Sequence, residues 1–276
     1  MQLEGSSLIV DFLSLAFVLL AVYGARLFFI RSPKPDSPLN RVGWGALDAL
    51  VVVVAVLLAS QMVALGIAWV LFDFLSVQIS SAQQQFIMMA TSQLLAIGLV
   101  FRLLQRRHTA TRLIGWMRPK WQDVQTAIVG YAKYFVIFLV VVLLAQVLAP
   151  GVDVNQRQAL GFEPGAAGIE LVFIFIALAI LPPFAEELLF RGVLYTGLRT
   201  KLSALRAGAV TSILFALGHL QGGVGGSVIW LAALDTFILS MVLSDMREKS
   251  GSLWPGILVH MLKNSIAFAV LFVFRA

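Results

Sequence analysis

Apolar residues run along this chain in blocks of about twenty, the length at which a helix crosses a bilayer, and short polar or basic connections separate them. Runs of that length, recurring from end to end, predict membrane-spanning helices. The first block is residues 8–30, interrupted only by Asp11 and Arg26. The seven residues before that block carry no positive charge, which predicts a retained span with its N-terminus outside and not a secretory signal. Pro33, Pro35 and Pro38 exclude helix from the connection that follows. Residues 44–74 form a second span, longer than a bilayer requires and therefore tilted or partly interfacial. Further spans are expected at 86–104, 125–149 and 168–190, then a short apolar segment at 207–220, a glycine turn at 221–226, and spans at 227–245 and 253–274. The fold class is all-α, a polytopic transmembrane bundle of about eight spans.

Composition agrees with the pattern: 60% of residues are apolar and 12% are charged. Twenty basic residues against fourteen acidic ones give a net charge of +6. Such an excess can mark a nucleic-acid binder, but here the basic residues occupy short loops between apolar blocks, so no nucleic-acid partner is expected. Sixteen of the twenty lie on alternate connections, around 26–41, 102–120, 191–206 and 247–249. The positive-inside rule makes that side cytoplasmic and puts both termini outside. The protein is read as an integral, multi-pass protein of the plasma membrane, with membrane lipid as its surroundings. The absence of cysteine excludes disulfides, a thiolate nucleophile and a cysteine metal site.

Charge inside an apolar block is costly and usually functional. Leu181-Pro-Pro-Phe-Ala-Glu-Glu-Leu-Leu-Phe-Arg-Gly192 holds two carboxylates and a guanidinium at the end of the 168–190 span. Glu187 and Arg191 are four apart, carboxylate first, the favourable order for an ion pair on one helix face. Glu186 lies about 100° round the helix and is left without that partner. Pro182 and Pro183 predict a kink or break just before the glutamates, and broken helices are tolerated where they line a wet cavity. Phe215 and His219 share a face at spacing four, as do His260 and Asn264. His108 lies in the most basic loop and is read as solvated. Asp11, Asp48, Asp73 and Asp245 sit near span ends, where they reach water or cap helices. Asp235, nearer mid-span, could orient a histidine or pair with Lys133, and spacing does not choose between these.

Glu186-Glu187-Leu-Leu-Phe-Arg191, Phe215-Ala-Leu-Gly-His219 and His260-Met-Leu-Lys-Asn264 resemble the motifs EExxxR, FxxxH and HxxxN of the CPBP intramembrane proteases. That family includes CAAX prenyl endopeptidases, bacteriocin-processing and immunity proteins, and Abi proteins. The resemblance covers residues 168–276, which would form the protease-like core of four spans; residues 1–150, four further spans, carry none of it. It implies that Glu186 is the general base that activates water, helped by His219. His260 and Asn264 would stabilise the oxyanion, and Glu187 and Arg191 would shape the site. The substrate implied is a membrane-associated or lipidated peptide or protein.

The chemistry stands on its own terms, since a desolvated carboxylate is a better base than a solvated one and oriented donors stabilise developing charge. Two cofactor readings follow: none, or zinc held by Glu186, His219 and His260 with one position left for water. The alternatives to a protease are a non-catalytic immunity or scaffold protein and a proton-coupled transporter. At 1.5 Å per residue, His219 would lie about 20 Å from Arg206. The segment 207–220 must therefore end inside the membrane for its histidine to meet Glu186, which predicts a cavity open to the cytoplasm.

Overall fold

The computed structural model describes residues 42–148, 161–162, 166–220 and 230–274. The span expected at 8–30, most of the loop at 150–167 and the glycine turn at 221–226 lie outside those residues. Among the described residues seven longer helices follow one another: α1 (Ala46–Phe74), α2 (Ser81–Arg106), α3 (Trp121–Leu148), α4 (Ile169–Leu198), α5 (Ala204–Leu217), α6 (Trp230–Ser250) and α7 (Trp254–Val273). No strand occurs among the described residues. Five of the helices, α1 to α4 and α7, are long and apolar enough to cross a membrane. Among the described residues the candidate spans thus number five, and the expected first span lies outside them. The helix α5 has 14 residues, as its short apolar run dictates. In α6, 21 residues long, Asp235, Asp245, Arg247, Glu248 and Lys249 dilute the apolar run.

Local chemistry sets the helix ends. Asp48 accepts the Gly45 backbone N–H at 3.1 Å and so caps α1. Ser80 and Gln83 form a reciprocal capping box at the start of α2, at 3.0 and 3.3 Å. This starts α2 five residues before the apolar block and shortens the polar connection that precedes it. Asp123 accepts the Lys120 N–H at 2.7 Å ahead of the α3 body. His108 and Gly115 take positive φ in the basic connection between α2 and α3.

Two apolar clusters hold the bundle. One joins α1, α2, α4, α5 and α7 through Val52, Val100, Leu188, Val193, Phe215 and Ile257; the other joins α3, α6 and α7 through Tyr134, Leu239, Leu243 and Val259. The centre is α4, whose residues Leu188–Tyr195 are all buried. At the opposite extreme, α3 buries only Asp123, Ala127, Gly130 and Tyr134, one narrow stripe at spacings of three and four. Its exposed Ile128, Val129, Phe135, Val136 and Leu139 suit contact with lipid chains.

The basic connections meet at one end of the bundle. Thr109 donates to the Val42 carbonyl at 2.9 Å, and Leu253 N–H to that of Gly115 at 2.9 Å. The Trp254 indole donates to Met117 at 2.6 Å, and Arg247 donates to Leu113 at 3.3 Å. Arg199 chelates Glu248 through Nε and Nη2 at 3.0 and 2.9 Å, which ties the end of α4 to the end of α6. Gly197 packs on α1 so closely that a Cβ there would meet that of Ala49 at 2.4 Å.

Candidate active site

The helix α4 is not α-helical throughout. Ile176–Ile180 and Leu188–Tyr195 are π-helical turns on either side of the α-helical Leu181–Glu187, which opens on Pro182 and Pro183. The expected break before the glutamates thus takes the form of a widened turn, a common way to insert irregular backbone at a functional site. The second widened turn was not legible in the sequence, because Leu188–Tyr195 is buried all round and has no polar face from which to read a period.

Within this frame Arg191 Nη1 donates to Glu187 Oε1 at 2.8 Å, with side-chain exposures of 0% and 1%. The expected pair therefore forms, fully desolvated. Arg191 Nη2 donates to the Ser240 carbonyl of α6 at 3.3 Å, and the guanidinium carbon lies 4.7 Å from the centre of the Phe215 ring. The buried cation thus has a carboxylate, a backbone carbonyl and an aromatic face as partners, while its Nε makes no hydrogen bond among the described residues. Glu186 points elsewhere, as its place on the helix predicts, and its side chain keeps 20% exposure.

What meets Glu186 is His260 of α7. Its Nε2 is 3.7 Å from Glu186 Oε2 and its Nδ1 is 3.5 Å from Glu187 Oε1, ion-pair distances that are not hydrogen bonds. Glu186 Oε2, Glu187 Oε2 and His260 Nδ1 are buried and make no hydrogen bond among the described residues. Buried polar groups are normally hydrogen-bonded, and a catalytic role is one explanation for those that are not. Gly256 permits the approach of α7, since a Cβ there would stand 2.8 Å from Glu187 Oε2.

The helix α5 brings its motif to the same place from the other side. Phe215 stacks edge-on against Phe190 at 4.7 Å, and its ring centre is 5.9 Å from that of His260 and 4.7 Å from that of His219. Phe215 near the end of α5 is therefore buried inside the bundle, while Leu217 and Leu220 beside it are exposed. His219 Nδ1 donates to the Phe215 carbonyl at 2.8 Å, which leaves Nε2 as the acceptor of the ring. Asn264 donates through Nδ2 to the Leu178 carbonyl at 2.9 Å, across to the first widened turn of α4. One N–H of that amide is used and one is left.

The structure thus gathers Glu186, Glu187, Arg191, Phe215 and His260 in direct contact, with His219 behind Phe215 and Asn264 a turn further along α7. For zinc the gathering is incomplete. Among the described residues no three His, Cys, Asp or Glu side chains stand together closely enough to hold a metal ion, Glu186, His219 and His260 included.

Residues 168–266 match the family model described as type II CAAX prenyl endopeptidase Rce1-like. This agrees with the CPBP resemblance of the three motifs. The Rce1-like match begins at the residue before α4, ends inside α7, and contains all seven site residues from Glu186 to Asn264. No curated protein and no solved structure matches the chain. The apolar helices and the Rce1-like match together fit an integral membrane protein.

Asp235 resolves differently from either sequence expectation. It accepts a hydrogen bond from Tyr134 of α3 and pairs with Lys263 of α7 at 2.6 Å. Lys133 instead pairs with Asp245 at 2.8 Å. No spacing rule links residues on three different helices, so this cluster was invisible in the sequence.

Proposed function

We propose that this chain is an intramembrane endopeptidase that hydrolyses a peptide bond of a membrane-associated or lipidated substrate. The observation that carries the reading is the meeting of Glu186 with His260 beside the buried Glu187–Arg191 pair, inside an apolar bundle and within the matched residues. Glu186 takes a proton from water, whose oxygen bonds to the scissile carbonyl carbon. The carbonyl oxygen becomes an oxyanion. His260 and the unused N–H of Asn264 stabilise it, the larger electrostatic contribution in reactions of this type. As the C–N bond breaks, Glu186 returns its proton to the leaving amine. His219, with Nε2 left as an acceptor, helps hold the water. Glu187 and Arg191 keep the floor of the site rigid and balance each other's charge.

The mechanism needs no metal, and the donor geometry gives zinc no three-ligand cradle among the described residues. In this reading the site opens towards the basic connections, the side that the positive-inside rule makes cytoplasmic. The family match favours a prenylated substrate among lipidated ones.

Purified protein in nanodiscs, offered prenylated and plain transmembrane peptides, tests the reading. Glu186→Gln keeps shape but cannot take the proton, so turnover disappears while folding and substrate binding survive. Asn264→Ala lowers turnover by about 10² or more, and a strong chelator leaves activity unchanged. Full activity in Glu186→Gln sinks the assignment of the base, chelator inactivation reversed by zinc replaces it with a metal mechanism, and wild type that cleaves nothing favours a binding protein.

A further inference from the structure

The helix α7 carries His260 and Asn264; Ile257 and Val259 bury its first half, whereas beyond His260 its only buried residue is Phe272. Leu262, Ile266, Val270 and Leu271 are exposed, which suits contact with lipid chains. Lipid chains are as apolar as leucine, so turning that half of the helix costs little hydrophobic free energy, and polar contacts must set its angle. His260 itself makes no hydrogen bond to either glutamate that would do so. Beyond His260, α7 is tied by an ion pair through Lys263, three residues after His260 and next to Asn264. It lies 2.6 Å from Asp235 of α6, with side-chain exposures of 24% and 18%, and Asp235 also accepts from Tyr134 of α3. The other ion-pair cluster between these helices, Lys133–Asp245–Lys249, is more exposed, at 47%, 36% and 72%, and lies nearer the basic end. Exposed pairs of that sort contribute little.

We infer that Asp235 and Lys263 are positioning residues: their ion pair, completed by the Tyr134 hydroxyl, sets the rotation of α7 and thereby the reach of His260 to Glu186 and of Asn264 to the Leu178 carbonyl. The consequence for hydrolysis rests on the protease reading; the positioning of α7 does not. A neutral residue at 263 leaves Asp235 with Tyr134 alone, and α7 turns within its lipid-facing freedom. A misplacement of about 1 Å at a reacting group costs about 10²-fold in rate.

The cysteine-free chain allows a test that needs no activity. Phe175 and Phe268 have ring centres 5.2 Å apart, between α4 and α7. Phe175→Cys with Phe268→Cys, bridged by a short bifunctional thiol reagent, reports the setting of α7. Gln61→Cys with Ser92→Cys, at a 3.4 Å contact between α1 and α2, is the control. Lys263→Met lowers the α4–α7 cross-linking rate severalfold and leaves the control unchanged, whereas Lys263→Arg restores it. In the peptidase assay Lys263→Met lowers kcat by about 10- to 100-fold with little change in KM, and Lys263→Arg recovers most of kcat. Asp235→Asn, which keeps the Tyr134 partner, gives the same pattern and substitutes for Lys263→Met should that variant not fold. Unchanged cross-linking in folded Lys263→Met or Asp235→Asn overturns the inference, as does a loss confined to KM. Wild type that cleaves no peptide sinks the protease reading only, and the cross-linking arm then decides alone.

Discussion

At the scale of the residue, the Glu187–Arg191 pair illustrates how much charge an apolar bundle can hold when each charge is met. Removing either partner leaves the other buried and uncompensated, at a cost of about 3–5 kcal/mol. Glu187→Ala and Arg191→Ala are therefore each strongly destabilising and jointly much less than their sum. A double-mutant cycle on thermal or denaturant unfolding in detergent measures this, with a coupling of about 0.5–3 kcal/mol expected; additive losses would show that the two do not act as one unit. The pair was legible from spacing alone because both members lie on one helix. The approach of His260 to Glu186 was not, since spacing within α4 and within α7 says nothing of how the two helices meet. Three motifs named the residues, and only the packing of Gly256 and Phe215 showed which of them touch.

At the scale of the element, α7 comes close to α4 because Gly256 has no side chain. Gly256→Ala puts a Cβ 2.8 Å from Glu187 Oε2 and pushes the carboxylate off Arg191. Such overpacking costs about 1–3 kcal/mol, read as a lower midpoint of thermal unfolding. Gly98→Ala on α2 is the comparison, because nothing lies within 4 Å of the added carbon. It is expected to leave the midpoint unchanged or raise it, alanine being the better helix former. Helix existence was readable from apolar runs, but helix ends were set by capping groups such as Ser80 and Gln83, which lie outside those runs. The case of α6 is instructive: its charges make it too polar for a span by composition, yet Asp235 and Asp245 are paired with lysines from α7 and α3. Composition counts charges singly and cannot see that they are matched.

At the scale of the whole molecule, the basic connections converge on one end, so accessibility across the membrane should sort cleanly. Arg112→Cys and Lys249→Cys are expected to react with an impermeant maleimide only from the cytoplasmic side, and Gln78→Cys only from the other; labelling of position 112 from outside would invert the orientation. That end also carries an acid-sensitive tie. The hydrogen bond from Arg199 holds the Glu248 carboxyl below its usual range, against the opposing effect of partial burial and with help from Tyr195. A depressed folded-state value means that the stabilisation is complete above the ordinary glutamate pKa, about 4.3, and is lost as pH falls through the lower folded value. Thermal unfolding between pH 6 and 3 should show this acid limb, and Glu248→Gln should flatten it. Because Glu248 and Arg199 are about one-third exposed, the effect is small.

The widened turn at Leu188–Tyr195 has a bearing on how such a helix can change over generations. A π-helical turn accommodates more residues than an α-helical one, so this segment stores extra chain length within an otherwise continuous rod. Loss of one codon there could be absorbed by tightening the turn, where the same loss in α2 would rotate every later residue of the helix. The segment between the glutamates and Arg199 is thus a place where the reading frame of side chains around the rod can be reset without breaking it, so that the end bound to Glu248 and the end bearing Glu186 can vary in phase independently.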